Sequence, residues 1–422
     1  MQKQVRTGLL RAAAMGFAVL FPALIARAEP SVEVMHFWTA GGEAAALAEV
    51  KKKVEAEGVS WIDAPIAGGG GDQAKTALQA RISSGNPPAA MLMLGYNIID
   101  WAKAGMLADL KDIAEAGKWD EALPEAVKAF TKVDGRWVSA PTNIHRVNMV
   151  WGSKAAFDKI GATPPTSWEE FNALAPKFWE AGIVPLAHGG QPWQDVTLFD
   201  SVALGIGGPD FYHKAFVDLD DATLRGETMV KVFDQMRLLR GMVDDNFSGR
   251  DWNLATAMVI ENKAAMQIMG DWSKGEFTNA GKKAQTDFLC FAAPGTGNDF
   301  VFLVNSFSMF EQPDADAKKA QAILANAIMD PQVQLKFNIA KGSIPAVSNA
   351  PTDGLDSCAL KNVADLAASS KSGTAMPTVA YTHAANASVT AAITDVVTRH
   401  FNSDLASADA AAELADAVAA AR

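Results

Sequence analysis

Between residues 32 and 37 the chain alternates and then becomes mostly apolar (Val32, Val34, Met35, Phe37), the pattern of a strand with a buried face. Residues 41–57 switch to helical spacing, with Ala44, Leu47, Ala48 and Val54 on one side, and a strand follows at 59–62. Asp72 then starts a helix whose apolar side is Ala74, Ala77, Leu78 and Ile82. The short apolar run 89–94, bounded by Pro88 and Gly95, fits a buried parallel strand. This β-α-β-α-β order predicts an α/β domain with a doubly wound sheet.

Asp134-Gly135-Arg136 predicts a tight hairpin turn between Val133 and Trp137. Pro141 comes soon after, and a second series begins: strand 147–151, helix 168–181, strand 184–187. Helices over 224–242 and 251–262 lead to a strand at 264–269. Residues 288–292 and 300–310 are further strands, and the rest is mostly helical, ending in the Ala-rich 406–421. There is no internal repeat and no long Pro/Gly/Ser linker. Two α/β series without a flexible joint imply two lobes meeting at a cleft, the usual place for a ligand.

Charge narrows the ligand. The 422 residues carry a formal charge of −11, and residues 1–28 hold four bases (Lys3, Arg6, Arg11, Arg27) and no acid. The remainder therefore has 33 basic against 48 acidic groups, −15, which excludes a basic surface for nucleic acid or anionic lipid. The basic start precedes an apolar stretch at 12–25 and the small-x-small pattern Ala26-Arg27-Ala28 before Glu29. This predicts a secretory signal peptide over 1–28, cleaved between Ala28 and Glu29; its apolar core is too short for a comfortable membrane span. With export expected, the two cysteines, Cys290 and Cys358, favour one disulfide, two buried thiols being the alternative.

The glycine run Gly68–Gly71, followed by Asp72-Gln73-Ala74-Lys75-Thr76, falls short of a phosphate-binding loop. Ala74 stands where the loop needs glycine, and Asp72 would place a negative charge among the phosphates. Four glycines before a helix let backbone amides approach a neutral, hydroxyl-rich ligand; a flexible loop is the bland alternative. Eleven Trp against three Tyr is unusual, and several Trp have polar neighbours: Trp38-Thr39, Trp193-Gln194-Asp195, Trp252-Asn253, Asp271-Trp272. A sugar ring offers apolar C–H faces to an indole and hydroxyl edges to planar polar groups, so this set points to carbohydrate. The six His lack HxH or HExxH spacing, and no GxSxG elbow occurs, so neither metal nor cofactor is expected. Asp195 and Asp271 are the pair a glycosidase reading would need.

Taken in order, these stretches resemble the periplasmic sugar-binding proteins of ATP-driven importers, extracellular solute-binding protein family 1, and within it the glucose/mannose-binding type. The resemblance is carried by residues 36–43 (His-Phe-Trp-Thr-Ala-Gly-Gly-Glu), Gly68–Gly71, Gly85-Asn86-Pro87-Pro88, Pro141-Thr142-Asn143-Ile144-His145-Arg146 and residues 188–195 (His-Gly-Gly-Gln-Pro-Trp-Gln-Asp). Gly249-Arg250-Asp251-Trp252-Asn253, Met269-Gly270-Asp271-Trp272 and Lys341-Gly342-Ser343-Ile344-Pro345 continue it.

The resemblance implies an α/β, two-lobed periplasmic binding protein fold whose lobes are joined by crossing strands. The first lobe would comprise 29–140 and 301–345, the second 141–300 and 346–422. It implies sugar contacts from Trp38, Glu43 and Gln79 in the first lobe, stacking by Trp252 and Trp272 from the second, and hydrogen bonds from Asn305, Lys341 and His383. It also implies the Cys290–Cys358 disulfide. Two positions depart from the pattern: Phe37 replaces a second Trp, and Asn305 replaces Asp, which puts the identity of the sugar in doubt. The implied protein is a periplasmic monomer without catalysis, cofactor or nucleic acid. It would capture a glucose-like monosaccharide or a small oligosaccharide and hand it to an inner-membrane ABC permease driven by a cytoplasmic ATPase. A secreted carbohydrate-active enzyme and a ligand donor to a chemoreceptor are the alternatives.

Overall fold

β1 (Ser31–His36) buries Val32, Val34 and Met35 and pairs in parallel with both β2 (Ser60–Pro65) and β3 (Ala90–Leu94). The helices Gly41–Ala56 and Asp72–Ser83 make the crossovers, as the periodicity predicts. The computed structural model describes residues 30–422, so the expected leader and its cleavage point at Ala28–Glu29 lie outside the described residues. β4 (Lys132–Val133) and β5 (Arg136–Trp137) form the expected hairpin, and Asp134 and Gly135 take the positive φ values, 50° and 78°, that its tight turn requires.

β6 (Ser139–Arg146) then enters the first sheet with all eight residues buried. Two residues later the chain is in a second sheet. β7 (Met149–Ser153), β8 (Val184–Leu186), β9 (Ala264–Ile268) and β10 (Phe288–Ala292) are arranged there in the order β10-β7-β9-β8. β11 (Phe300–Met309) returns to the first sheet, followed by β12 (Ile344–Pro345) and β13 (Ala375–Pro377). The first sheet runs β12-β6-β11-β3-β1-β2, with β13 beside β11. Around the second sheet, the helices Trp168–Glu180, Pro192–Phe216, Glu227–Arg240 and Ala387–Asn402 bury Phe171, Phe178, Phe199, Phe233 and Phe401 in one apolar core.

Two expected lobe boundaries differ from the observed pairing. The lobe boundary expected after residue 140 falls inside β6, which stays paired with β11 as far as Arg146; the crossing lies between Arg146 and Met149. Pro141 does not end the strand, because the β11 register shifts beside it, between Asn305 and Ser306, and a bulge removes the need for its missing N–H. Residues 346–422 do not all belong to the second lobe: β13 pairs with β11, and Val363 and Leu366 pack on the first core. Finally, the helix Pro192–Phe216 was not expected. Gly205, Gly207, Gly208 and Pro209 interrupt its pattern, and at Gly208 (φ 75°, ψ 176°) the backbone kinks.

Candidate functional site

The C-terminal ends of β1 and β3, the glycine run and β11 face the second lobe across a cleft of about 140 Å³. The first lobe and the crossing strands supply Trp38, Glu43, Gly68, Gly69, Leu94, His145, Asn305 and Lys341 to its wall. The second lobe and the Tyr381 loop supply Trp193, Asp251, Trp252, Asn253, Trp272 and Tyr381.

On the first-lobe side a buried ion pair organises the wall. Glu43 accepts the backbone N–H groups of Thr39 (3.1 Å) and Ala40 (3.2 Å) at the start of helix Gly41–Ala56, and its other oxygen holds Lys341 Nζ at 3.0 Å. Lys341 ends helix Pro331–Lys341 and lies 5.2 Å from the centre of the Trp38 ring, which is wedged against Phe307 and Phe337. Fixed there by a carboxylate and an aromatic face, the ammonium gives one of its three protons to Glu43 and can offer two to a ligand.

On the opposite wall, Trp272 meets His145 edge-on at 5.2 Å and Tyr381 edge-on at 5.6 Å. Gly270 makes room for it, since a Cβ there would lie 2.0 Å from the indole. Trp252 opens helix Trp252–Ile260, where its carbonyl accepts from Thr256 (3.0 Å) and Gln267 (3.1 Å). Beneath the two tryptophans, His145 donates from Nδ1 to Asp271 and accepts from Asn143 Nδ2 at Nε2 (2.7 Å). Burial pushes the His145 imidazole down from its ordinary pKa although the Asp271 charge pulls it up.

The lobes touch directly beside this site. Gly42 donates its N–H to Glu276 of the second lobe (2.8 Å), and a Cβ on Gly42 would come within 2.6 Å of the Gly275 backbone. Burial raises the Glu276 pKa, while the bond from the helix start opposes the rise. The tyrosine loop is anchored from behind by buried Asp200, which accepts from Thr378 Oγ1, the Tyr212 hydroxyl (2.6 Å) and the Val379 N–H (3.1 Å). Desolvation pushes its carboxyl up to about 6.

Of the eight expected sugar contacts, Trp38, Glu43, Trp252, Trp272, Asn305 and Lys341 line this one cavity. Gln79 does not: it is exposed on helix Asp72–Ser83, outside the cavity lining. Nor does His383. Its Nε2 accepts the Val304 N–H (3.0 Å), its Nδ1–H donates to the Tyr381 carbonyl (2.8 Å), and its ring packs on Phe130. Both nitrogens are spent on backbone, and burial pushes its pKa down to about 4, so it is a neutral brace between the Tyr381 loop and β11. The glycosidase pair also dissolves. Asp195 is buried against His188 (2.8 Å) and Asn402, and Asp271 against His145 and the Arg146 N–H. Trp193, Asp251, Asn253, Tyr381 and His145 were not among the expected contacts. Trp193 and Asn253 carried a signal in the tryptophan–polar pairs, and Asp251 and His145 lie in stretches that carry the resemblance; Tyr381 sits in a loop without periodicity.

Residues 39–375 match the family model described as bacterial extracellular solute-binding protein. A "probable sugar-binding periplasmic protein" of Rhizobium meliloti (strain 1021) is 52% identical over 405 residues, covering 96% of this chain and 97% of its own. A protein of the same description from Brucella suis biovar 1 is 49% identical over 420 residues, covering 98% and 99%. Among solved structures, a chitin oligosaccharide binding protein matches with TM-score 0.77 at 20% identity, over 93% of this chain and 98% of that one. Maltose-bound MalE3 of T. maritima matches with TM-score 0.76 at 15% identity, over 92% and 99%. At such identities the two structures establish the fold, α/β and two-lobed with crossing strands, as expected.

Proposed function

Because the chain belongs to the bacterial extracellular solute-binding proteins, we propose that it captures a sugar between its lobes and delivers it to an ABC-type importer. The single observation that carries this reading is the cavity wall. Four tryptophans, Trp38, Trp193, Trp252 and Trp272, share it with Glu43, Asp251, Asn253, Asn305 and Lys341. Indoles suit the C–H faces of a pyranose, and the carboxylates, carboxamides and ammonium suit its hydroxyl edge. Asn305 in particular offers one acceptor and two donors, which match a hydroxyl in either role. The description of the Rhizobium and Brucella relatives as sugar-binding periplasmic proteins supports the same ligand class.

The chain is not an enzyme, and the two carboxylates a glycosidase would need, Asp195 and Asp271, are committed to structural hydrogen bonds. Its delivery partner is an inner-membrane permease with a cytoplasmic ATPase, which supplies the free energy of transport. It works as a periplasmic monomer, exported by the leader that ends at Ala28, and its sugar is glucose-like in size and polarity. Isothermal titration against a panel of sugars, with analysis of the recovered sugar, tests the reading. One-to-one binding with the sugar unaltered supports it; turnover, or no binding across the panel, overturns it.

A further inference from the structure

Residues 378–386 cross between the lobes: β13 before them pairs with β11 in the first sheet, and helix Ala387–Asn402 after them buries Phe401 in the second core. Each lobe holds its own share of this crossing. The second lobe grips residues 378–381. There Asp200 accepts from the Thr378 hydroxyl and from the N–H groups of Val379 (3.1 Å) and Ala380 (3.4 Å), while the Tyr381 hydroxyl meets Thr197 (3.2 Å). The first lobe grips the next two residues. The Thr382 carbonyl accepts the Tyr96 N–H (2.7 Å), and its hydroxyl accepts from Asn97 Nδ2 (3.0 Å) and donates to the Leu94 carbonyl (3.3 Å). His383 accepts the Val304 N–H (3.0 Å). The grip therefore changes hands between Tyr381, which lines the cleft, and Thr382, which lies outside its lining.

The residue at that change is strained. Thr382 has φ 54°, and among the described residues it is the one β-branched side chain with a positive φ. A left-handed backbone brings Cβ against the following carbonyl, and a branched Cβ has little freedom to turn away. The cost corresponds to about 5- to 30-fold in an equilibrium constant. Such a conformation persists only where its surroundings over-determine it. Here they do. The His383 and Ala384 N–H groups close the loop on the Thr378 carbonyl (3.2 and 2.9 Å), so it cannot shed strain along its length. From the first lobe, the turn at residues 94–97 presses directly on Thr382: a Cβ on Gly95 would lie 2.1 Å from its carbonyl oxygen.

We propose that Thr382 is a strained joint, held left-handed while the cleft is closed and relaxing as it opens. Part of the free energy of sugar binding then goes into this residue, and the closed cleft releases its ligand more readily than its contacts alone would allow. This inference rests on the sugar-capture reading above and assigns the residue that sets the tightness of the hold. Thr382 is a positioning residue, acting on the sugar through its neighbour Tyr381.

Thr382→Gly and Thr382→Asn test it, because glycine and asparagine accept a left-handed backbone. Titrated with glucose, galactose, mannose and maltose, both variants should bind the best of these probes about fivefold or more tighter than the wild type, with the gain in slower dissociation by stopped flow. Thr382→Val keeps the branched Cβ and loses the hydroxyl, so it should bind no tighter than the wild type. In the sugar-free protein, amide exchange over residues 94–97 should slow in the Gly and Asn variants, since the Tyr96 N–H is covered by Thr382 in the closed form. Unchanged affinity in Gly and Asn variants that melt cooperatively overturns the proposal, even where they melt higher, because the strain is then the same open and closed. A gain shared by the Val variant overturns it as well, since relief of strain is then not the cause. A wild type that binds no probe overturns the sugar-capture reading alone. In that event slower exchange over residues 94–97 in the Gly and Asn variants still supports the joint, and unchanged exchange overturns it.

Discussion

Trp272 packs against His145, Tyr381 and Trp193 and, though buried, lines the cleft. Truncation to Ala removes a flat apolar contact worth about 1–3 kcal/mol to a stacked sugar, so affinity should fall on the order of 5- to 150-fold while folding persists. Titration beside a thermal melt checks this; a lower melting temperature with unchanged affinity would show the ring to be core only. His383 should behave in the opposite way. Its replacement should lower stability and leave the sugar contacts in place, and the effect should depend on pH. With a folded pKa of about 4 against 6.5 for the unfolded chain, the unfolded state binds more protons between those values. Its contribution is complete above pH 6.5 and is lost as pH falls toward 4. Urea unfolding at pH 6.5 and 4.5 should show the wild type losing about 2–3 kcal/mol more than His383→Gln. Equal losses would contradict the assignment. Polar neighbours marked Trp38, Trp252 and Trp272 in the sequence, and the family resemblance gave them their places in the site. The side on which Gln79 leaves its helix, and the backbone groups that claim both nitrogens of His383, depend on tertiary contacts that no local pattern encodes.

At the scale of elements, the crossing from β6 to β7 is locked by one arginine. Arg146, fully buried, donates to Asp365 (2.6 Å) on helix Ser357–Ser372 and to the carbonyls of Gly297 and Asp299 just before β11. The same helix starts beside Cys358, whose disulfide to Cys290 ties it to β10 of the second sheet. The bridge closes a loop of 68 residues and should stabilise the fold by about 2–4 kcal/mol. Denaturant unfolding of the Cys290→Ser, Cys358→Ser double variant should show that loss, and a variant as stable as the wild type would contradict it. The first five elements were legible because alternation and helical spacing are local. The return of β11 to the first lobe came only through the family resemblance, and that of β13 was missed, since pairing between distant segments leaves no periodic trace. The Gly/Pro kink hid the helix Pro192–Phe216 for a different reason: the chain breaks its own helical pattern there.

The whole molecule is two lobes closed on each other through glycines, with Gly42 against Gly275 and Gly69 against Trp193, around a wall of indoles and hydrogen-bonding groups. Its charge follows from the same composition: with residues 1–28 set aside, acids exceed bases by 15, which suits a neutral ligand better than an anionic polymer. Export predicts a mature chain beginning at Glu29, because Ala26 and Ala28 present the small side chains that signal peptidase accepts. Intact-mass measurement on periplasmic protein should find that start, and a chain retaining residues 1–28 would contradict it. The central claim, that a sugar is held between the lobes by this wall, is tested most directly by a crystal structure grown with the tightest-binding sugar of the panel. The account predicts a ring in van der Waals contact with Trp272, its hydroxyls bonded to Lys341 and Asn305, with Trp193 still seated on Gly69. A sugar bound elsewhere on the molecule, with this cleft filled only by water, would contradict it.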